Sequence, residues 1–348
     1  PIKREKHKLA LLGYLLAEGN LCHPHGFYFY SKEECEISDY VSFLEMFGNT
    51  VARLDRSKSV VSVYSKRARV RFPSEAVEWV RGLGLYGKTA TEKFFPSFVF
   101  RLSNENLAVL LGKMFQGDGC VNNKRDPQIF YATSSNRLAY EFQHLLLRFG
   151  IFSSVHKKQF RYREGFKQGF TVMINRYDNI EKFIHAFSPH FVGKKQEIAT
   201  EILRSHPVIN GTLSRRAARG SYDIVPAELV RPAIHARAIS SGFPIQAFAE
   251  THDVSPRLFW RDERKSGYLR ETVSHLGELF GDDSLLRLGE SEVYWDQIKS
   301  IQYCGTEDTY DLTVSSIHNF VANDIVVHNS HAACYAMISY QTAYLKAN

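Results

Sequence analysis

Two rounds of one hydrophobic pattern occupy the first 200 residues or so. An apolar run from Leu9 to Gly19 is too long for a buried strand and predicts a buried helix. An aromatic, strand-like stretch (His25 to Tyr30) follows, then a polar helix around Ile37 to Phe47 and two β-branched strands, Ser59 to Tyr64 and Arg67 to Phe72. The order then returns: an apolar helix from Leu107 to Gly119, a strand from Gln128 to Thr133, a helix from Ser135 to Phe149, and strands at Ser153 to Lys158 and Phe170 to Ile174. Starting points about 100 residues apart are too far apart for a solenoid and predict a duplicated α/β unit folded as a pseudo-dimer.

Past this repeat the style changes. A basic, Gly/Ser-containing run (Asn210, Gly211, Arg215, Arg216, Arg219, Gly220) reads as a linker over 201–225. Residues 226–288 read as a helical module. Within it, Pro244 to His252 looks like a helix, and Ser255 as N-cap with Pro256 after it starts a second. A helix-turn-helix, with Arg257, Arg261 and Arg264 on its second helix, and a plain packing module both fit. Residues 289–329 turn to short strands: Ile298 to Tyr303, Thr309 to Val314, Phe320 to Ala322 and Ile325 to Val327. Residues 330–348 form an apolar helical tail.

Composition narrows the class. With 44% apolar residues, 25 Phe and 18 Tyr, the chain is not disordered. No apolar run reaches the roughly 18–20 residues of a membrane span. Five cysteines, odd in number and without C-x-x-C spacing, argue against a disulfide framework or a structural zinc and suit a reducing cytoplasm. The net charge of +7 is compatible with nucleic acid. A first residue of Pro1, with no leader after it, is expected of a fragment.

The two apolar helices end alike, in Gly13-Tyr14-Leu15-Leu16-Ala17-Glu18-Gly19 and Lys113-Met114-Phe115-Gln116-Gly117-Asp118-Gly119. Gly13 and Ala17, four apart, would let another helix approach closely. If the two helices pack together, Glu18 and Asp118 converge, and two carboxylates brought together call for cations between them. Mg2+ or Mn2+ held there would suit phosphodiester hydrolysis. Lys113 falls on the same interface and is expected to snorkel out or to hold the helices apart. Arg67, Arg69 and Arg71 share one face of a strand, and Arg161, Arg163 and Lys167 form a comparable hairpin; either set could meet phosphates or base edges.

These paired motifs resemble those of the LAGLIDADG homing endonucleases, of the dodecapeptide type found inside inteins, over residues 8–200. The resemblance implies a pseudo-twofold α/β endonuclease (duplicated α-β-β-α-β-β unit) that cuts double-stranded DNA, with Glu18 and Asp118 as metal-binding acids. The segment Gly87-Lys88 through Lys93-Phe94-Phe95-Pro96 looks like the family's Lys-x-x-Pro block, which makes Lys93 a catalytic lysine. Lys194 and Lys195 are expected to contact phosphates. Glu18 stands where Asp is commoner, and Lys113 where the family has a small residue, so a scaffold that binds DNA without cutting it is the rival reading.

The C-terminal stretch carries a second chemistry. An Asn followed by Ser can cyclise, its side-chain amide attacking its own carbonyl and releasing the downstream peptide, if the leaving amine is protonated. Asn329 and Ser330 supply that pair; His328 stands beside the bond, His318 across a turn, and Asp311 upstream, while the Ser330 hydroxyl could accept an acyl group. The pattern resembles the C-terminal splicing blocks of inteins over residues 292–330. It implies a partial all-β HINT domain, with Asn329 as the cyclising residue, His328, His318 and Asp311 as its helpers, and Ser330 as the first extein nucleophile. The N-terminal splicing blocks are not in this sequence, so the expected partners are that missing segment and the exteins; a truncated record is expected over a trans-splicing half. The tail from Ser330 resembles a segment of the bacterial DNA polymerase III alpha subunit, though without polymerase carboxylates. A chain belonging simply to a replication protein is the second rival.

Overall fold

The computed structural model describes residues 5–24, 26–66, 73–123, 127–162, 165–205, 223–240, 249, 250, 256, 266–296, 298, 300–306, 308, 312, 314 and 317–328. The chain divides into two compact units, Pro1–Arg219 and Gly220–Asn348.

The first unit is built around two helices, α1 (Lys6–Glu18) and α4 (Asn104–Asp118). Every residue from Leu9 to Ala17 and from Asn106 to Gln116 is buried. Helices apolar on all sides belong at the centre of a domain, and these two pack on each other. Each is followed by the same series of elements. After α1 come β1 (Gly19–Asn20), β2 (Tyr28–Tyr30), α2 (Glu34–Leu44), β3 (Thr50–Asp55), β4 (Val60–Ser65) and α3 (Glu75–Gly82). After α4 come β5 (Gly119–Asn122), β6 (Gln128–Thr133), α5 (Asn136–Leu147), β7 (Ser153–Tyr162), β8 (Gly165–Ile174) and α6 (Tyr177–Phe187). The two antiparallel sheets have matching orders, β1-β2-β4-β3 and β5-β6-β8-β7. In each, one face carries buried residues of the core: Phe29, Val61 and Val63 in the first, Ile129, Tyr131 and Val172 in the second.

Several elements differ from those read in the sequence. The strand beside Val60–Ser65 is Thr50–Asp55, with β2 on its other edge; Arg67–Phe72, expected in that role, lies outside the described residues. Thr50–Asp55 mixes polar and apolar positions too evenly to stand out before its partner is known. The two-residue β1 has no pattern to read. The segment expected as a linker begins too early, because α7 (Lys194–Ser205) runs into it and buries Ala199 and Ile202 in the main core.

The second unit holds a small core of Val225, Val230, Ile234, Val273 and Leu276. It is formed by the strand pair Ile224–Pro226 and Gly267–Leu269 and by helices Ala227–Ser240, Arg270–Phe280 and Asp283–Glu290. The Arg270 guanidinium donates to Asp223 and to the carbonyls of Leu288, Ser291 and Val293, tying the ends of this module together. Of the two helices expected at Pro244 to His252 and from Ser255 onward, only residues 249, 250 and 256 are described, so the helix-turn-helix reading and its arginines fall outside. Asn319–Ala322 and Ile325–His328 form a hairpin through Asn323 and Asp324, both with positive φ (49° and 64°), as a two-residue turn of matching twist requires. The strand expected at Ile298 to Tyr303 is not formed in the described residues there. Ile301 and Tyr303 are nearly fully exposed, and no described strand pairs with them. Most of Thr309 to Val314 lies outside the described residues.

Candidate active site

The two central helices meet at their C-terminal ends. A Cβ on Gly13 would fall on the Leu110 carbonyl and the Met114 amide of α4, and one on Gly117 would lie 2.5 Å from the Ala17 Cβ. The small residues therefore let the two backbones close on each other, as their spacing in the sequence predicts. This approach brings Glu18 and Asp118 together. Burial of Asp118, followed by the charge of Glu18, pushes the Asp118 carboxyl up to about 7.

A lysine closes each helix end. Lys93 is 4% exposed and its Nζ donates to the carbonyls of Leu16 (3.0 Å) and Ala17 (2.7 Å), the last turn of α1. Lys195 Nζ donates to Phe115, Gln116 and Gly117 at the end of α4. Orphan carbonyls and the negative end of the helix dipole favour a cation at both places. Burial lowers Lys93 to about 8, against the charges of Asp118 and Glu18; burial likewise lowers Lys195. Lys195, expected to contact phosphates, has its ammonium on backbone carbonyls beside Asp118 and mirrors Lys93 in the other half. Gly193-Lys194-Lys195 lies in no motif that announces this position. Lys194 opens α7 next to it.

Other residues fix the Lys93 segment. Ser135 caps α5, accepting from the Leu138 amide (3.1 Å) and donating to the Lys93 carbonyl (2.7 Å), while Glu141 accepts from the Phe95 amide (2.8 Å). Tyr131 is fully buried with its hydroxyl in the field of both acids. Ser135 is legible in the sequence as the start of α5, while its bond to the Lys93 carbonyl, and the places of Glu141 and Tyr131, carry no signal there.

Lys113 neither snorkels nor spreads the helices. Its Nζ lies 2.6 Å from Asp39 Oδ2 on α2, between the rings of Tyr14 (5.8 Å) and Phe43 (5.5 Å), and the Tyr14 hydroxyl donates to the same carboxylate oxygen at 2.6 Å. The missing side chain at Gly13 leaves room for the lysine stem. Two residues from Asp118, Gln116 donates to Glu36 (2.6 Å) and accepts from the Val192 amide (3.0 Å).

Of the basic residues expected on the sheets, Arg161 and Lys167 are described. Arg67, Arg69, Arg71 and Arg163 lie outside the described residues. Arg161 stands opposite Phe166 and Lys167 opposite Phe160, so strand alternation puts Arg161 and Lys167 on opposite faces of the β7–β8 ribbon rather than in one patch. Of the splicing residues, Asp311, Asn329 and Ser330 are outside the described residues. His318, at φ 52°, directly precedes Asn319, which pairs with His328, so the hairpin brings both histidine positions to one end.

The donor set fits an oxygen-loving divalent cation. Two carboxyls, one raised by its desolvation and then by the charge of the other, are the kind of ligand Mg2+ takes one or two of, with water and phosphate completing its shell. Among the described residues no cluster of three or more His, Cys, Asp or Glu side chains could hold a metal by itself. Nor is any described helix long and apolar enough to cross a membrane.

Comparison with known proteins adds the following. Residues 105–186 match the family model of the LAGLIDADG-like domain. The chain is 32% identical to the replicative DNA helicase DnaB of Rhodothermus marinus over 93% of its own length and 34% of the helicase. It is 28% identical to the RecA protein of Mycobacterium bovis over 71% of its length and 32% of RecA. The chain thus spans about a third of the length of these curated relatives. Among solved structures, mesophilic variants of the homing endonuclease I-DmoI are similar at 12% identity and a TM-score of 0.38, covering 52% of this chain and 90% of theirs.

Proposed function

We propose that this chain is the endonuclease and C-terminal splicing portion of an intein, and that it makes a metal-dependent double-strand cut in the intein-less allele of its host gene. The observation that carries the reading is the meeting of Glu18 and Asp118 at two helix ends, each end held by a buried lysine. Glu18 and Asp118 would hold a divalent cation, Mg2+ or Mn2+, which when bound would supply an activated water and positive charge for the leaving oxygen. Lys93 and Lys195 hold the two helix ends in place and keep positive charge beside the two acids. The matching element order of the two halves suits a pseudo-twofold enzyme acting on two strands.

The intein part of the reading draws on the relatives. A helicase and RecA differ in name, yet each matches most of this chain through only about a third of itself, as a mobile insert shared by unrelated hosts would. His318 and His328, at one end of their hairpin, suit the helpers of Asn329 cyclisation, with Asp311 assisting and Ser330 as acceptor; an N-terminal splicing segment would complete that domain. The tail from Ser330 makes the DNA polymerase III alpha subunit the proposed host, in a bacterial cytoplasm. The likeness to DnaB makes a helicase gene the competing host.

The test is cleavage of linear DNA carrying the uninterrupted polymerase gene or the uninterrupted helicase gene, by purified chain with Mg2+, beside Glu18→Gln and Asp118→Asn. A cut in the polymerase gene that both variants abolish is expected. A cut only in the helicase gene would move the host. DNA retention without a cut in either would leave a binding protein.

A further inference from the structure

We infer that the two lysines of the site are cross-braced, each set in place by the half of the first unit that does not carry it. Glu36 of α2, acting through Gln116, positions Lys195, and Glu141 and Ser135 of α5 position Lys93. This rests on the DNA-cleaving reading above and concerns how its site is assembled.

Lys93 follows α3 in the chain and Lys195 follows α6, so each lysine comes after its own half and sits on the last carbonyls of that half's central helix. A lysine stem is long and flexible, so the ammonium keeps its place only if the backbone that carries it is held. The holding groups come from across the pseudo-twofold. For Lys93 they lie in the second half. The Ser135 hydroxyl donates to the Lys93 carbonyl (2.7 Å), and Glu141 Oε2 accepts from the Phe95 amide (2.8 Å). Arg137 fixes the other Glu141 oxygen at 2.7 Å and lies 4.5 Å from the Phe94 ring.

For Lys195 the holding carboxylate lies in the first half. Glu36 is buried, with Oε2 accepting from the Ser31 hydroxyl (2.6 Å) and Oε1 from Gln116 Nε2 (2.6 Å). Gln116 in turn accepts from the Val192 amide (3.0 Å), on the segment that leads into Lys195. A carboxylate only accepts and a backbone N–H only donates, so Glu36 decides which way round the Gln116 amide sits. Only that way round can Gln116 accept from Val192. Among nearby charges Glu36 is also the first to favour the charged form of Lys195, ahead of Asp118. The braces are not copies of each other. Glu141 is the sixth residue of α5, where α2 has Asp39, and Glu36 is the third residue of α2, where α5 has Leu138.

The experiment compares Glu36→Leu and Glu141→Leu with Glu36→Gln and Glu141→Gln in the full chain, by amide hydrogen exchange and by cutting of the two genes named above. Glutamine keeps one acceptor oxygen, and leucine keeps none. Glu36→Leu should speed exchange of the Val192 amide about 2- to 10-fold and leave Phe95 unchanged, and Glu141→Leu should do the reverse. Both leucine variants should cut about 10- to 100-fold more slowly, since a small misplacement of a catalytic group costs that much. Gel-shift affinity should stay within about twofold, as neither brace serves the DNA backbone, and the glutamine variants should keep most of the rate. Exchange speeded at both amides by either leucine variant would mean general loosening and overturn the inference. So would faster exchange with an unchanged cutting rate, or glutamine variants as slow as the leucine ones. An unaltered chain that cuts neither gene would overturn the cleaving reading instead, with the exchange pattern still deciding the bracing.

Discussion

The Lys113–Asp39 pair allows a prediction with a sign that simple interaction counting misses. Its members are unequally buried, with 7% of the lysine side chain exposed and 19% of the aspartate. Asp39→Asn strands an ammonium between the rings of Tyr14 and Phe43, and removing one partner of a buried pair costs about 3–5 kcal/mol. Lys113→Met leaves a carboxylate that still accepts from Tyr14 and reaches water, while the methionine fills the lysine stem's space, so the cost is about 1–2 kcal/mol. The double variant removes both charges and should lie within about 1 kcal/mol of the original, since apolar replacements of buried pairs are often neutral. In thermal unfolding of the full chain, Asp39→Asn should lower the first unit's midpoint by about 10 °C, and adding Lys113→Met should restore most of it. Equal losses for the two single variants, or a double variant worse than Asp39→Asn alone, would refute this account of the interface.

Other expectations follow from the same site. The Asp118 carboxyl is raised from 3.8 to about 7, so the folded state holds its proton over a wider range than the unfolded chain does. Its contribution is full below about pH 4 and is lost as pH rises through 7, by up to about 4 kcal/mol. Metal-free Asp118→Asn should therefore be the more stable protein at pH 8, and parallel stability profiles for the two from pH 4 to 8 would contradict the assignment. Gly117→Ala places a methyl 2.5 Å from the Ala17 Cβ and should cost about 1–3 kcal/mol despite alanine's better helix propensity, with cleavage lost in a plasmid assay. Lys195→Met should abolish cutting while a gel shift on the same DNA stays within about twofold, because its ammonium serves the helix end rather than the DNA backbone; a large loss of binding would return it to the phosphate contacts. Ser135→Ala releases the Lys93 carbonyl and uncaps α5, and should lower stability by about 1–2 kcal/mol in urea unfolding.

What the sequence determined by itself is whatever depends on near neighbours in the chain. Runs apolar on every side, as in Leu9 to Ala17, cannot be surface helices, and Gly13 and Ala17 at helical spacing announce a close helix–helix contact. Glu18 and Asp118 were legible because each sits at the end of such a run. The hairpin Asn319–His328 was legible as alternating residues about a turn. The tertiary structure decided everything that needed a partner distant in sequence. Lys195 became the counterpart of Lys93 only when α7 placed it on α4's last carbonyls, about 78 residues from its acceptors. Lys113 became an internal charge only when α2 brought Asp39 to it, 74 residues away in sequence. Thr50–Asp55 became a strand because Val60–Ser65 folded back on it, and Ile298 to Tyr303, with the better strand composition, did not. Propensity is set by a residue and its neighbours, whereas a ladder, a buried ion pair or a capped helix end is complete only when the second group arrives through the fold.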